Sequence, residues 1–414
     1  MNHLIGGISS GGRALPEIDG QPFIVQRSQG AWLWGNDGKQ YVDTAMGFGA
    51  TMLGHAAPRV LAPVIQALQR GPMPSFAHDL ETEAACSLVS HTGPLSQVIF
   101  LNTGSEAVHL ACRTARTATG RSRIVRFAAS YDGWFDEVAF GNAGSSEAQM
   151  PASATRPERD GMLLLRYNDF TDVDRLFHEY PDIAAVIIEP VLANAGCIEP
   201  MTGYLKHLSD KAHEQGALVI LDEVLMGFRL HAGLTGHLLG VDADLATVGK
   251  AIGSGVPVAA LLGKPEIMQL FEDKRIVRAG TYSGNPPACA AVVATLEQLR
   301  QHDYLPLLRS GNQLRSDIIR AFADEGLPLS SSGYGSVFTL WPSDKAPADY
   351  AQAAAIANAR WSLDLHVALR EQHVMTMPFA FGRIYLTFAH DEAAMQALLK
   401  GYKAAAGKLA ATAT

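Results

Sequence analysis

Four short segments of this 414-residue chain set reactive side chains directly beside apolar runs or glycine-rich turns. In Asn102-Thr103-Gly104-Ser105-Glu106-Ala107, after the run Val98 to Leu101, a glycine permits close backbone approach. Ser105 and the first helical N–H groups behind it can face an anion; the same hexapeptide also reads as an ordinary helix N-cap. In Leu221-Asp222-Glu223-Val224 a buried run delivers two carboxylates, which need partners when buried. A protonated pyridine nitrogen would suit Asp222, since holding that nitrogen charged makes the ring an electron sink. A Walker-B-like metal site is the other reading, and the chain has no GxxxxGK[ST] loop to go with it. In Ala246-Thr247-Val248-Gly249-Lys250 a lysine follows an apolar run and precedes the uncharged turn Gly253-Ser254-Gly255. Desolvation there would lower its pKa and suit it to imine formation; a snorkelling surface lysine is the plainer alternative. Gly280-Thr281-Tyr282-Ser283-Gly284-Asn285-Pro286 adds two aliphatic hydroxyls, Thr281 and Ser283, in a turn before a helix.

Side chains of this kind must be carried by strand ends, because open α/β sheets bind ligands beyond the carboxyl ends of their strands. Apolar runs without polar alternation recur at Val98 to Leu101, Ile124-Val125, Ala185 to Ile188, Leu218 to Leu221, Leu245 to Val248 and Val258 to Leu262. Helical periods separate several of them, notably Ser105 to Thr117 and Tyr204 to Gln215. This predicts an α/β fold with a mainly parallel, doubly wound sheet in a large domain. Residues 1–54 read as strands (Pro22 to Gln26, Ala31 to Trp34, Gln40 to Val42) that pack with a smaller C-terminal α+β domain. Residues 55–300 form the large domain and 301–414 the small one, with long helical periods at Asp349 to Gln372 and Asp391 to Ala406 and strands near Val337 to Trp341 and Arg383 to Phe388. Asn142 to Asp160 is a long polar stretch of the kind that forms lids or linkers.

Composition bounds the partners. The chain is 48% hydrophobic and 18% charged with a formal charge of −8, which is globular and a poor match to nucleic acid or anionic membrane surfaces. No segment has the roughly 18–20 uncharged apolar residues of a membrane span. Cys86, Cys112, Cys197 and Cys289 are scattered without metal spacing, so reduced thiols in the cytoplasm and no metal are expected. The first residues lack the basic and apolar regions of a signal peptide. A nicotinamide-binding Rossmann enzyme is rejected, because Gly253-Ser254-Gly255-Val256-Pro257-Val258 lacks the third glycine and contains a proline.

Taken together, these segments resemble the class III (ω-type) pyridoxal-phosphate aminotransferases of fold type I, and among them most of all the glutamate-1-semialdehyde 2,1-aminomutases. The likeness runs from about Phe23 to the last helix. Its marks are Met52-Leu53-Gly54-His55, Asn102 to Ala107, Tyr131-Asp132-Gly133-Trp134, Glu189-Pro190-Val191 with Asn194, Asp222-Glu223-Val224 with Gly227-Phe228-Arg229, Gly249-Lys250, and Gly280 to Pro286. The resemblance implies pyridoxal 5′-phosphate held as a Schiff base by Lys250, which then shuttles the substrate proton. It implies Asp222 at the pyridine nitrogen, Val224 and Tyr131 on opposite ring faces, and Gly104 and Ser105 at the phosphate. Asn194 would meet the ring hydroxyl, with Glu189 nearby. Thr281 would reach the neighbouring active site of a homodimer.

Two departures from the family stand out. Asp132 occupies the place where the family usually has histidine. Gly382 falls where the aminomutase pattern has glutamate, and Arg383 follows it. Arg383 is a candidate carboxylate clamp, Arg13 a second one, and Phe48 a substrate-side aromatic; plainer readings are solvated arginines and a core phenylalanine. The expectation is a transaminase passing an amino group from a small-molecule donor, such as L-glutamate, to a carboxylate-bearing keto or aldehyde acceptor. An intramolecular aminomutase is the runner-up, favoured by the Asn142 to Asp160 stretch as a lid. A non-catalytic ligand-binding descendant is the third reading.

Overall fold

The computed structural model describes residues 3–18, 20–150 and 158–413. Its centre is an eight-stranded sheet in the spatial order Gln97–Leu101, Ala259–Gly263, Leu245–Val248, Leu218–Asp222, Ile183–Ile188, Arg123–Phe127, Met162–Leu165 and Glu158–Arg159. The pairings from Leu245–Val248 through Met162–Leu165 are parallel. Such strands read as unbroken apolar runs because helices cover both faces of the sheet, and all six residues of Ile183–Ile188 are buried.

The helix Gly104–Thr119 shows how the cover is built. Its buried stripe Ala107, Val108, Ala111 and Ala115 lies on the sheet together with Ile124, Ile187 and Ile220. Thr103 accepts the Glu106 N–H at 3.2 Å while the Glu106 carboxylate accepts from Thr103 N–H at 3.0 Å, a reciprocal cap that fixes where this helix starts.

Ala259–Gly263 departs from the expectation. It runs antiparallel to both its neighbours, Leu245–Val248 and Gln97–Leu101. The consequence is local: the entrance to this strand, Gly255 to Val258, lies at the same sheet edge as the exits of the parallel strands.

The remaining elements form two smaller sheets. Val25–Gln29, Trp32–Gly35 and Gln40–Asp43 continue into Val374–Met375, which pairs parallel with Gln40–Asp43, so N-terminal strands share a sheet with a late segment. Ser330–Tyr334, Val337–Trp341 and Ile384–Tyr385 make the other, with the helix Tyr304–Asp324 beside it, while Ala359–Glu371 and Glu392–Ala413 pack on Val374–Met375 of the first. Two expected elements shift. The first strand begins at Val25 because the Asn36 side chain takes the Ile24 N–H at 3.0 Å and donates to the Pro22 carbonyl at 3.1 Å. The expected helix from Asp349 to Gln372 is two, Tyr350–Ile356 and Ala359–Glu371; Ala357 turns extended and Asn358 caps the second helix. The strand expected from Arg383 to Phe388 is only Ile384–Tyr385.

Candidate active site

The carboxyl ends of the parallel strands meet around a cavity of about 360 Å³. Lys250, Asp222, Glu189, Asn194, Tyr131, Asp132, Gly104, Ser105 and Val224 all line it. They arrive from five strand exits, those of Gln97–Leu101, Arg123–Phe127, Ile183–Ile188, Leu218–Asp222 and Leu245–Val248, so residues far apart in the chain converge. Another cavity, about 460 Å³, is larger but is bounded by Phe100, His109, Arg113 and Ser283 and contains neither the lysine nor the buried carboxylates.

Lys250 opens a single helical turn directly after Leu245–Val248 with φ of 43°, a left-handed conformation that a residue with a side chain rarely adopts. Burial pulls its amine below the ordinary lysine value, and the attraction of Asp222 only partly opposes that. Asp222 is 4% exposed. One of its oxygens accepts from Val224 N–H at 3.0 Å and from the Thr247 hydroxyl at 3.1 Å. Burial first, and then the charge of Asp132, pushes its carboxyl up. Glu189 accepts from the N–H groups of Tyr131 at 3.0 Å and Ala193 at 3.3 Å, and burial, Asp132 and Asp222 push it up to about 8. Three carboxyl groups and one amine thus share a poorly solvated space, where each favours the neutral form of its like-charged neighbours.

The floor at Gly104 is closed to side chains. A Cβ on Gly104 would come within 3.0 Å of Val224 Cγ1, and one on Gly133 within 2.8 Å of Ser105 Oγ. Ser105 Oγ accepts the Trp134 N–H at 3.3 Å, tying the Tyr131 to Trp134 turn to the helix start. Tyr131 stays 46% exposed at the mouth of the cavity.

The other candidate residues are not among those lining the cavity. Arg383 donates from Nε to the Tyr385 hydroxyl at 2.8 Å and from Nη1 to the Ala193 carbonyl at 3.4 Å, one residue from Asn194. It is close enough that its charge also lowers the Lys250 pKa. Phe48 is half-buried in a left-handed run, Met46 to Gly49, that Asp43 caps by accepting the N–H groups of Ala45 and Met46. Arg13 is exposed at the end of the turn Gly11–Arg13, and Gly12 lies against the Phe48 ring. Thr281 is exposed in the turn before Pro286–Gln301 and stands apart from this chain's own Lys250 cavity. Of the stretch Asn142 to Asp160, residues 151–157 lie outside the described residues.

Several participants escaped the sequence reading. Thr247 fixes Asp222, and Ala50, Leu225 and Gly255 to Val258 complete the walls. Arg126 is fully buried and donates from Nε to Asp132 at 2.7 Å. The signal for Arg126 was present: an arginine inside the apolar run Ile124-Val125-Arg126-Phe127 implies a buried charge with a partner.

Comparison with known proteins agrees with this geometry. The chain is 35% identical over 405 residues to a glutamate-1-semialdehyde 2,1-aminomutase of Nitratidesulfovibrio vulgaris (strain DSM 19637 / Miyazaki F), covering 96% of this chain and 95% of that protein. Among solved structures it superposes on an omega-transaminase from Sphaerobacter thermophilus with a TM-score of 0.89 at 27% identity, covering 99% of this chain and 95% of the other. A β-phenylalanine aminotransferase from Variovorax paradoxus gives 0.86 at 28% identity, covering 99% and 91%. The fold is that of the type I pyridoxal-phosphate-dependent transferases. Residues 16–327 match the family described as aminotransferase class-III, and the chain belongs to that family.

This makes it an enzyme of amino-group transfer with pyridoxal 5′-phosphate as cofactor. The cavity suits that group on its own chemistry. It offers a desolvated amine, a buried carboxyl for a ring nitrogen, and, at Gly104, a helix start that no side chain fills.

Proposed function

We propose that this chain is a transaminase acting between separate amino donors and acceptors, rather than an aminomutase. When bound, pyridoxal phosphate supplies a ring that accepts the electron pair left at the substrate carbon. Lys250 Nζ would anchor the cofactor covalently and would take and return the proton at the substrate carbon. Asp222 would keep the ring nitrogen charged, the N–H groups at Gly104 and Ser105 would hold the phosphate, and Tyr131 and Val224 would bracket the ring. Asn194 and Glu189 would serve its hydroxyl side. Substrates are small molecules, with a carboxylate-bearing acceptor and a donor such as L-glutamate.

The observation that carries the choice is at Gly382. The aminomutase pattern has glutamate there, and here a Cβ would sit 2.9 Å from the carbonyl oxygens of both Met377 and Phe379. The backbone is closed to any side chain, and the adjacent position bears Arg383 instead. With Nε and Nη1 bonded to protein, Nη2 makes none of these contacts and is the part of the guanidinium suited to a substrate carboxylate.

Mixing the holoenzyme with L-glutamate, L-alanine and simple amines in single-turnover experiments tests this through the cofactor's visible absorbance. We expect conversion with at least one carboxylate-bearing donor. Arg383→Gln should raise KM for that donor by roughly 10–100-fold, the worth of one charge-assisted contact, with any simple amine unaffected. An absorbance unchanged by every donor, with 5-aminolevulinate formed from the semialdehyde alone, would establish the aminomutase reading instead.

A homodimer is part of the proposal, with Thr281 serving the neighbouring site. Its support is an apolar surface on neighbouring loops: Phe76, Val277 and Tyr282 are 84%, 73% and 65% exposed, and the His78 ring is bonded to the Gly284 carbonyl at 2.8 Å, joining the loops that carry Phe76 and Tyr282. A cytoplasmic setting fits the four unpaired cysteines, and no helix among the described residues is long and apolar enough to cross a membrane. The three stretches 1–54, 55–300 and 301–414 remain our division of the chain, the first sharing a sheet with the last.

A further inference from the structure

Asp132 has a setting unusual for a carboxylate. It is 1% exposed and lines the cavity of Lys250. Its Oδ2 is fully engaged, taking Arg126 Nε at 2.7 Å and the Ser130 hydroxyl at 2.5 Å. Its Oδ1 is buried and has no hydrogen-bond partner. Arg126, 0% exposed, spends its other nitrogens on the carbonyls of Val138, Phe140 and Ser130, the Ser130 hydroxyl and Asn142 Oδ1. Its contacts therefore anchor one side of Asp132 and leave the other side bare. A buried carboxylate oxygen left unmatched carries a desolvation penalty that a positive group in the cavity would offset.

We infer that Asp132 is a positioning residue for the cofactor ring: through Asp222 it adds a second negative charge at the ring-nitrogen end and so strengthens protonation of that nitrogen. The inference rests on the reading of Asp222 as the partner of that nitrogen. A fixed aspartate makes this end of the pocket more negative than Asp222 alone would. Arg126 screens this field without cancelling it, because its guanidinium faces Oδ2 rather than Oδ1. The response of the neighbours agrees: Asp132 is the foremost charge pushing up both Asp222 and Glu189. The positive groups acting on this space are Lys250, Arg383 and Arg229: Lys250 pulls Asp222 and Glu189 the opposite way, and the two arginines lower the Lys250 amine.

The test uses the holoenzyme and two cofactors, pyridoxal phosphate and an analogue whose ring nitrogen is replaced by carbon. Asp132→Asn preserves shape and removes the charge. We expect it to weaken binding of pyridoxal phosphate by about tenfold, leave the carbon analogue within about twofold, and lower the pH midpoint of the bound cofactor's visible band by about one unit. Asp132→Glu should retain the wild-type ratio of the two affinities. If Asp132→Asn lowers thermal stability while ratio and midpoint stay put, Asp132 is only the structural partner of Arg126 and the inference is overturned. If Asp132→Asn does not fold, an Asp132→Glu ratio that collapses toward one overturns it as well, and a retained ratio upholds it. Asp222→Ala separates the two layers: a ratio unchanged by Asp222→Ala removes the underlying reading, whereas a ratio changed by Asp222→Ala but not by Asp132→Asn removes only the role of Asp132.

Discussion

Lys250→Ala should abolish the visible absorbance of covalently held cofactor and lower kcat by at least about four orders of magnitude. Two functions are lost together, the covalent anchor and the base that moves the substrate proton, and the second alone is worth roughly 10²–10⁴. Folding should be unaffected, because alanine meets the same left-handed backbone at φ 43° and the lysine amine makes no hydrogen bond among the described residues. The phosphate and ring contacts remain, so cofactor should still be retained non-covalently, visible by equilibrium dialysis. In the wild-type protein the free amine is the nucleophile. The rate of covalent reattachment to cofactor-free protein should therefore rise with pH and level off below the ordinary lysine range, since burial favours the uncharged amine. Survival of both activity and absorbance in Lys250→Ala would show that catalysis does not depend on an imine at this lysine.

How much of this was legible beforehand can be argued from particular residues. Buried parallel strands declare themselves as apolar runs, so the strand exits carrying Asn102, Glu189, Asp222 and Lys250 could be placed without a structure. Direction could not be: Ala259–Gly263 has the same apolar pattern as its parallel neighbours and runs against them, because burial on both faces fixes composition and not sense. The helix break at Ala357 was hidden for a related reason. Its alanine-rich flanks keep the helical period, and only the capping carboxamide of Asn358 marks the restart. Closeness between distant backbones was equally invisible. Gly382 could be noted as a missing glutamate, but not as a position where two carbonyls exclude any side chain. Thr281 shows the limit of a single chain, for it stands outside this chain's own cavity and its assigned role needs a second copy.

Asp222→Ala should lower kcat/KM by roughly 10²–10³ or more, the scale of removing one preorganised electrostatic contact from a water-poor site, while leaving the covalent link to Lys250 intact. Asp222 ends the strand Leu218–Asp222, and Val224 N–H with the Thr247 hydroxyl occupies one oxygen, so the carboxyl cannot swing away from the cavity. Burial raises its pKa in the absence of a positive partner; a protonated ring nitrogen would reverse that, and each would hold the other in its charged form. Alanine removes this coupling. The ring then loses its proton, accepts electron density poorly, and the proton transfer at the substrate carbon slows far more than donor binding does. The expected signature is a fall in kcat with KM for the donor changed by less than about threefold. Asp222→Asn should behave like alanine in rate, since the neutral amide cannot sustain the ring charge, yet keep the bonds to Val224 and Thr247 and hence the stability. A kcat within tenfold of wild type in Asp222→Asn would show that the carboxylate only orders the strand end, and the ring nitrogen's partner would have to be sought elsewhere in the cavity.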